Sequence, residues 1–193
     1  MSKVFFTADT HFNHGGIRED GSRKGSMKHR PQFKSLDEMH ETIVTNWNNK
    51  VAKGDVVYHL GDFCFKPSQL RAWEEALNGS IHLILGNHDH EWPWSEKRIQ
   101  KSGFVSVRPA HYLRHEGYKL YLHHYACRTW RSSNHGSFHL FGHSHGDIPG
   151  LNRSMDVGVD ANNFTPVSFD EVLDRLSMEA DTEHHPEKEE ETR

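Results

Sequence analysis

The sequence predicts an α/β domain. Three observations carry that reading: short apolar runs recur along the chain, amphipathic helical stretches separate the first three of them, and the runs end again and again in clusters of Asp, Asn and His. In α/β architectures the carboxyl ends of strands are where sites are assembled, on loops held by a rigid sheet.

Val4 to Ala8 is an apolar run ending at Asp9 and reads as a buried strand. Gly15 to Lys34, rich in Gly, Ser, Lys and Arg, reads as a loop. Ser35 then opens a helix, with Glu38 at the position a capping box requires. Leu36, Met39, Ile43, Val44 and Trp47 give it one apolar face, and Asn48-Asn49 ends it. Asp55 to Leu60 is a second strand, ending at Gly61-Asp62. Pro67 to Leu77 reads as a helix with Leu70, Trp73 and Leu77 inward and Gly79 as the stop signal. Ile81 to Leu85 is a third strand, ending at Gly86-Asn87-His88-Asp89.

The middle of the chain is less regular. His111 to Arg114 and Tyr118 to His123 flank His115-Glu116-Gly117 and read as a hairpin. Ser137 to Phe141 is a further strand before Gly142-His143-Ser144-His145, and Met155 to Val159 is the last. Ser168 caps a final helix with Glu171 as its box partner. Beyond Met178 the chain is acidic, lacks apolar periodicity and reads as a disordered tail.

Composition narrows the function classes. At 193 residues, 34% hydrophobic and 26% charged, the chain suits one soluble domain. No run approaches the roughly 20 apolar residues of a membrane span. The segment Met1 to Phe6 is too soon polar for a signal peptide, so a cytoplasmic location is expected, with no membrane partner and no obligate protein partner evident. Two cysteines, Cys64 and Cys127, exclude a disulfide scaffold or a four-thiolate zinc module and read as packing residues. The excess is in histidine: 18 of 193, about one residue in eleven. Of the net charge of −4, the tail from Glu179 to Arg193 holds −5, which leaves +1 on the rest and argues against a general nucleic-acid binder. Neither a P-loop nor a G-x-G-x-x-G is present.

Five strand-end clusters remain: Asp9-Thr10-His11, Gly61-Asp62, Gly86-Asn87-His88-Asp89, His123-His124 and Gly142-His143-Ser144-His145. Singly each is weak, since a lone strand-end His or Asp is more often structural than functional. In this order the set D-x-H, G-D, G-N-H-D, H, G-H-x-H resembles the calcineurin-like metallophosphoesterase superfamily, and within it the small bacterial and phage members. The likeness runs from Val4 to about Leu176. It implies a two-sheet α/β sandwich flanked by helices, the metallophosphoesterase fold in a minimal version, over residues 1–178, with 179–193 as the tail.

The resemblance also implies a two-metal phosphoester hydrolase. Asp9, His11, Asp62 and His145 would hold one ion. Asp62, Asn87, His143 and one of His123 and His124 would hold the other, with Asp62 bridging. The family's ligand directly precedes Tyr or Gly, which favours His124 over His123. Because His143 and His145 are two apart, serving neighbouring ions calls for a local turn, which Gly142 and Gly146 permit. The all-N/O donor set suits Mn2+ first, and Fe, Ni2+ or Zn2+ as well. By the same resemblance a metal-bridging hydroxide attacks phosphorus and His88 protonates the leaving group. Asp89 either orients His88 or is a surface turn carboxylate.

The expected substrate is a phosphoester, with nucleotides and nucleic acid in view. Residues 18–34 hold six bases and two acids. This loop either arches over the site to hold a second phosphate, which favours a phosphodiesterase over a phosphomonoesterase or nuclease, or is a solvated loop. Substrate-contact candidates are His14, Arg18 and Arg128, the last followed by Trp130 and Arg131. Two rival readings stand beside this one. Gly142-His143-Ser144-His145-Gly146 fits G-x-S-x-G, but Asp147-Ile148-Pro149-Gly150 breaks the helix a serine-hydrolase elbow needs. The other is a non-catalytic metal-binding scaffold on the same fold.

Overall fold

The computed structural model describes residues 2–17, 22–89 and 102–180. Nine strands form two sheets among these residues. In chain order they are β1 (Val4–Thr7), β2 (Val56–His59), β3 (Ser80–Ile84), β4 (Ser106–Arg108), β5 (Ala110–His115), β6 (Tyr118–His123), β7 (Phe138–Phe141), β8 (Ser154–Asp156) and β9 (Val167–Ser168). Helices α1 (Leu36–Lys50), α2 (Leu70–Ala76) and α3 (Phe169–Ala180) complete the described chain. The first sheet has the order β4-β3-β2-β1-β9, parallel but for β9. The second has the order β5-β6-β7-β8, with β5 antiparallel to β6 and the rest parallel.

The period-2 alternation of the strands explains the layers. Phe5, Val57 and Leu83 face α1, where they pack on Met39, Ile43 and Trp47. Their neighbours Phe6, Tyr58 and Ile84 face the second sheet and meet Leu120, Leu122, Phe138 and Leu140. The register Phe5↔Val57 and Phe6↔Tyr58 keeps each set on its own side. The first sheet is therefore buried on both faces, as parallel sheets require. Helix α3 adds Phe169, Val172 and Leu176 to the inter-sheet core. This is the two-sheet α/β sandwich expected from the sequence.

Several boundaries differ from the sequence reading. Helix 67–77 is shorter: Pro67–Gln69 is a 3-10 turn, and α2 starts at Leu70 without a side-chain cap. The strand expected over 155–159 stops at Asp156, because Val159–Ala161 forms a 3-10 turn. Strands β4 and β9, of three and two residues, carry no apolar run long enough to read. Ser35 caps α1 by accepting from Glu38 N at 3.1 Å, but the Glu38 carboxylate accepts from Lys34 N instead of closing the box. Ser168 and Glu171 do close theirs, with Ser168 N donating to Glu171 Oε2 at 2.7 Å and Glu171 N to Ser168 Oγ at 3.3 Å. Residues 181–193 of the expected tail lie outside the described residues.

Lys50, the last residue of α1, grips both oxygens of Glu171 at 2.8 and 2.7 Å, tying the two helices together. Burial alone would raise the Glu171 carboxyl, but Lys50 and Ser168 outweigh it and hold the group down to about 2. A carboxylate depressed in the folded state adds stability above its unfolded value and loses it as pH falls through the folded value. Glu171→Gln is expected to lower the unfolding free energy by about 1 kcal/mol at pH 7, the scale of a solvent-screened pair plus part of a cap. Urea unfolding at a series of pH values checks this: the gap from wild type should close between about 4.5 and 2.

Candidate metal centre

All five clusters gather at the carboxyl ends of parallel strands. Asp9 and His11 follow β1, Asp62 follows β2, Asn87 and His88 follow β3, His124 follows β6, and His143 and His145 follow β7. Backbone bonds join the ends in pairs: Asp9 N donates to Gly61 O at 2.9 Å, His11 N to Asp62 O at 3.0 Å, and Gly142 N to His124 O at 2.9 Å. The two sheets meet here through Val159 N, which donates to Ala8 O at 3.0 Å.

The local backbone is unusual. Asp9, His11, Asp62, His143 and His145 all take positive φ, between 49° and 67°. For residues with a Cβ this conformation costs about 1–2 kcal/mol each, and such strain concentrates at functional sites. Two glycines supply the room. A Cβ on Gly86 would lie 2.2 Å from Asp62 Oδ1, and one on Gly142 would lie 2.6 Å from Asp9 Oδ2. The turn expected between His143 and His145 is present but is made differently. Gly146 takes φ +85°, the two histidines are themselves left-handed, and Gly142 serves by its lack of a side chain.

Two groups of side chains have the spacing of metal donors. Asp9, His11 and His145 offer atoms all within 4.8 Å of one another, and so do Asp62, His124 and His143. Asp62 links the groups: its Oδ2 lies 3.6 Å from His11 Nε2 and 3.5 Å from His124 Nε2. Asn87 Oδ1 stands 3.0 Å from His124 Nε2. The Nδ1 of His124 donates to Leu60 O at 2.7 Å, so Nε2 is the nitrogen turned toward the group. His123 instead bonds Tyr125 and lies against Cys127 Sγ.

The donors fit cations on an observation independent of any resemblance. Asp9 Oδ1 and His11 Nε2 are buried, 3.7 Å apart, and have no hydrogen-bond partner among the described residues. Buried polar atoms are rarely left so, because each forfeits its hydration. A carboxylate oxygen and an imidazole nitrogen converging at this distance make a cation-sized gap.

Electrostatics agrees. Burial pushes the Asp9 carboxyl up to about 7, against the pull of His124 and His145. Burial holds His11 well below its ordinary value. For His124 burial would do the same, but Asp62 and Asp9 overcome it and raise the ring to about 9. Burial would raise Asp62, yet His124 holds it below the usual carboxylate range. A cation in each group would favour Asp9 ionised and His124 neutral, so ion uptake would displace protons.

The remaining sequence candidates fall as follows. His88 is half-buried, with Nε2 3.9 Å from Asp62 Oδ2 and its ring centroid 4.6 Å from that of Phe65. Asp89 is fully buried, so the surface-turn reading does not hold. Its Oδ2 accepts from Asp62 N at 2.7 Å and Gly86 N at 2.9 Å, and its Oδ1 from Phe63 N at 3.2 Å. His14 lies beside the first group, its ring 5.7 Å from that of His11 and 4.4 Å from that of Phe65. Arg18 lies outside the described residues. Arg128 is exposed and makes no hydrogen bond or ion pair among the described residues. Trp130 is occupied by Ser137 and Arg131 by the Tyr112 ring. The described part of the basic loop, 22–34, is not simply solvated: Met27 and Arg30 are fully buried, Ser26 Oγ is 3.5 Å from His11 Nδ1, and His29 stacks on His145 at 5.3 Å. Cys64 is buried and Cys127 half-buried.

Two carboxylates escaped the sequence reading. Asp156 accepts from Ser144 Oγ at 2.7 Å, Gly146 N at 3.0 Å and Gly158 N at 2.7 Å, clamping the 142–147 turn. Asp160 accepts from His145 Nδ1 at 2.6 Å. Neither sits in a recognisable motif; only the fold brings them in. Ser144 is buried and spends its hydroxyl on Asp156, and no helix follows it, so the serine-hydrolase reading finds no support. Asp89→Asn would put an amide N–H2 where one carboxylate oxygen now accepts. Urea unfolding is expected to show a loss of about 2–3 kcal/mol, the scale of an unsatisfied buried donor.

No family model matches the chain. The uncharacterized protein MJ1445 of Methanocaldococcus jannaschii is 32% identical over 184 residues, covering 90% of each chain. A protein of unknown function from Aquifex aeolicus, AQ665, shares the fold, with TM-score 0.67 and 23% identity over 91% of this chain and all of that one. The overlay with Pseudomonas putida nuclease MPE is looser, TM-score 0.43 and 15% identity over 74% and 60% of the two chains, and carries no functional weight. With that identity over nine-tenths of both sequences, the chain belongs to the family of the Methanocaldococcus jannaschii protein.

Proposed function

We propose that this protein is a metal-dependent phosphoester hydrolase of the metallophosphoesterase type, acting on phosphodiesters. The observation that carries the reading is the pair of orphaned buried atoms, Asp9 Oδ1 and His11 Nε2, beside a carboxylate oxygen of Asp62 shared with His124. Asp9, His11 and His145 would hold one divalent ion, Asn87, His124 and His143 the other, and Asp62 both. Bound there, the ions supply Lewis-acid charge and an acidified water. Manganese is the first choice, with iron, nickel and zinc fitting the same donors.

The chain's own residues do the rest. Asp9 and Asp62 offset half of the charge of two divalent ions, so the site stays attractive to a phosphate anion. His88 is the proposed general acid. Its backbone N donates to Asp62 Oδ1 at 2.9 Å, which fixes its distance from the shared carboxylate. The His11 and Phe65 rings wall one side of it, and part of its own ring reaches solvent at the mouth. From there an imidazolium Nε2–H can give its proton to the departing oxygen. Asp89 supports the arrangement from beneath, through the backbone N–H groups of Asp62 and Gly86.

The preference for diesters rests on the segment from Lys24 to His29. Ser26 and His29 touch the first group, and Lys24 and Lys28 on the same stretch are exposed. They can hold a second phosphate or the far side of a diester. Arg30, counted with these bases from the sequence, is turned inward and does not contribute.

Metal-stripped protein with each ion added back is the direct assay, on chromogenic mono- and diesters, cyclic nucleotides and short DNA and RNA. Diester hydrolysis that returns with Mn2+ and disappears with a chelator is the expected result. His88→Ala should keep both ions, by metal analysis, and lose about 10²–10⁴ in turnover. Normal turnover in that variant removes His88 from the mechanism. Bound metal without turnover on any ester supports the scaffold reading instead.

A further inference from the structure

Arg30 is a buried cation far in sequence from everything it serves. Its side chain is fully buried. Nε donates to Asp160 Oδ1 at 2.7 Å and Nη2 to Asp160 Oδ2 at 2.8 Å, the two-pronged geometry that suits guanidinium and carboxylate. Nη1 donates to Thr10 O at 3.2 Å and Nη2 also to Asp9 O, so the same fork holds the left-handed turn that carries Asp9 and His11. Asp160, itself 2% exposed, spends Oδ2 a second time on His145 Nδ1 at 2.6 Å. A buried carboxylate gripped by arginine is ionised and can only accept, so His145 Nδ1 is the donor. That leaves Nε2 as the nitrogen available to an ion.

We propose that Arg30 and Asp160 are a positioning pair that fixes His145 as the Nδ1–H tautomer and thereby sets the affinity of one of the two metal positions, the Asp9–His11–His145 one. The inference rests on the metal-site reading above and adds to it. The second position has a different arrangement: His124 is fixed by the carbonyl of Leu60, with no charged partner on its Nδ1 among the described residues. The two positions would therefore hold their ions with unequal support. Arg30 also explains why a buried acid can stand behind His145, because the guanidinium balances its charge and a lone buried carboxylate would be protonated instead. Carboxylate–imidazole–metal chains of this kind change ion affinity by 10–100-fold when the outer partner is altered.

The test uses metal-stripped full-length protein and Mn2+ in a calorimetric titration. Wild type is expected to take up two ions. Asp160→Asn should weaken one position by 10–100-fold and leave the other within about two-fold. In a His145→Ala background the same substitution should change nothing further. Equal weakening of both positions, no weakening, or the same loss without His145 overturns the proposal. Should Asp160→Asn not fold, Arg30→Lys keeps the charge but loses the fork, and is expected to weaken the same position alone, by several-fold.

A second readout needs no ion. Nitrogen-15 NMR of the imidazoles, recorded at a pH high enough that the His145 ring is neutral, should show His145 as a single Nδ1–H tautomer in wild type and as a tautomer mixture in Asp160→Asn. An unchanged tautomer overturns the proposal. If wild type takes up no ion, the metal reading fails and with it the affinity claim, while the tautomer result still decides whether Asp160 positions His145.

Discussion

The placement of one carboxylate governs the rest of this structure. Asp62 is buried, yet Oδ2 stands at nearly equal distance from His11 Nε2 and His124 Nε2, which come from different sheets. A buried charge needs compensation from several directions. Its backbone N is held by Asp89, and its Oδ1 takes the N–H of His88. The flanking Gly61 and Gly86 lie so close that a Cβ on either would strike the other turn. Moving Asp62 by an ångström would separate the two imidazoles from their common partner.

Around it the fold separates stability from chemistry. The apolar layers lie along the strands, with Phe5 and Phe6 on opposite faces. The strained residues lie beyond the strand ends. Five left-handed donor residues at about 1–2 kcal/mol each are a large load for a domain whose net stability is about 5–15 kcal/mol. The compensation is visible in carboxylates that bind backbone instead of ligand. Asp89 holds the turns after β2 and β3, and Asp156 holds the turn after β7 and the start of the 158–162 segment. Arg30 holds the turn after β1 by its carbonyls. Each of the donor turns after β1, β2, β3 and β7 has a buried polar clamp of its own.

What was legible in the sequence follows from what is local. Apolar runs placed β1, β2, β3 and β7, because burial on two sides leaves a continuous apolar run, and helical periodicity placed the face of α1 down to Trp47. Short edge strands such as Ser106–Arg108 leave no such mark. The same holds for side-chain roles. His143 and His145 stand in a dense motif and draw attention, whereas Asp156 and Asp160 stand in ordinary sequence and take their roles from neighbours reached only by folding. The bases of residues 18–34 looked alike in the sequence, but Lys28 faces solvent and Arg30 is sealed inside.

The sequence alone determined the α/β class, the order of the strands that bear polar clusters, and the donor types that exclude thiolate chemistry. These depend on residue identity and periodicity, which are properties of short stretches. Only the tertiary structure decided that His124 and not its neighbour turns inward, that Asp89 is a backbone clamp, and that Arg30 and Asp160 stand behind His145. Those outcomes depend on which side chains meet across gaps of 15 to 130 residues. Over such separations the geometry is set by sheet register and the joining of two sheets, and no local pattern encodes either.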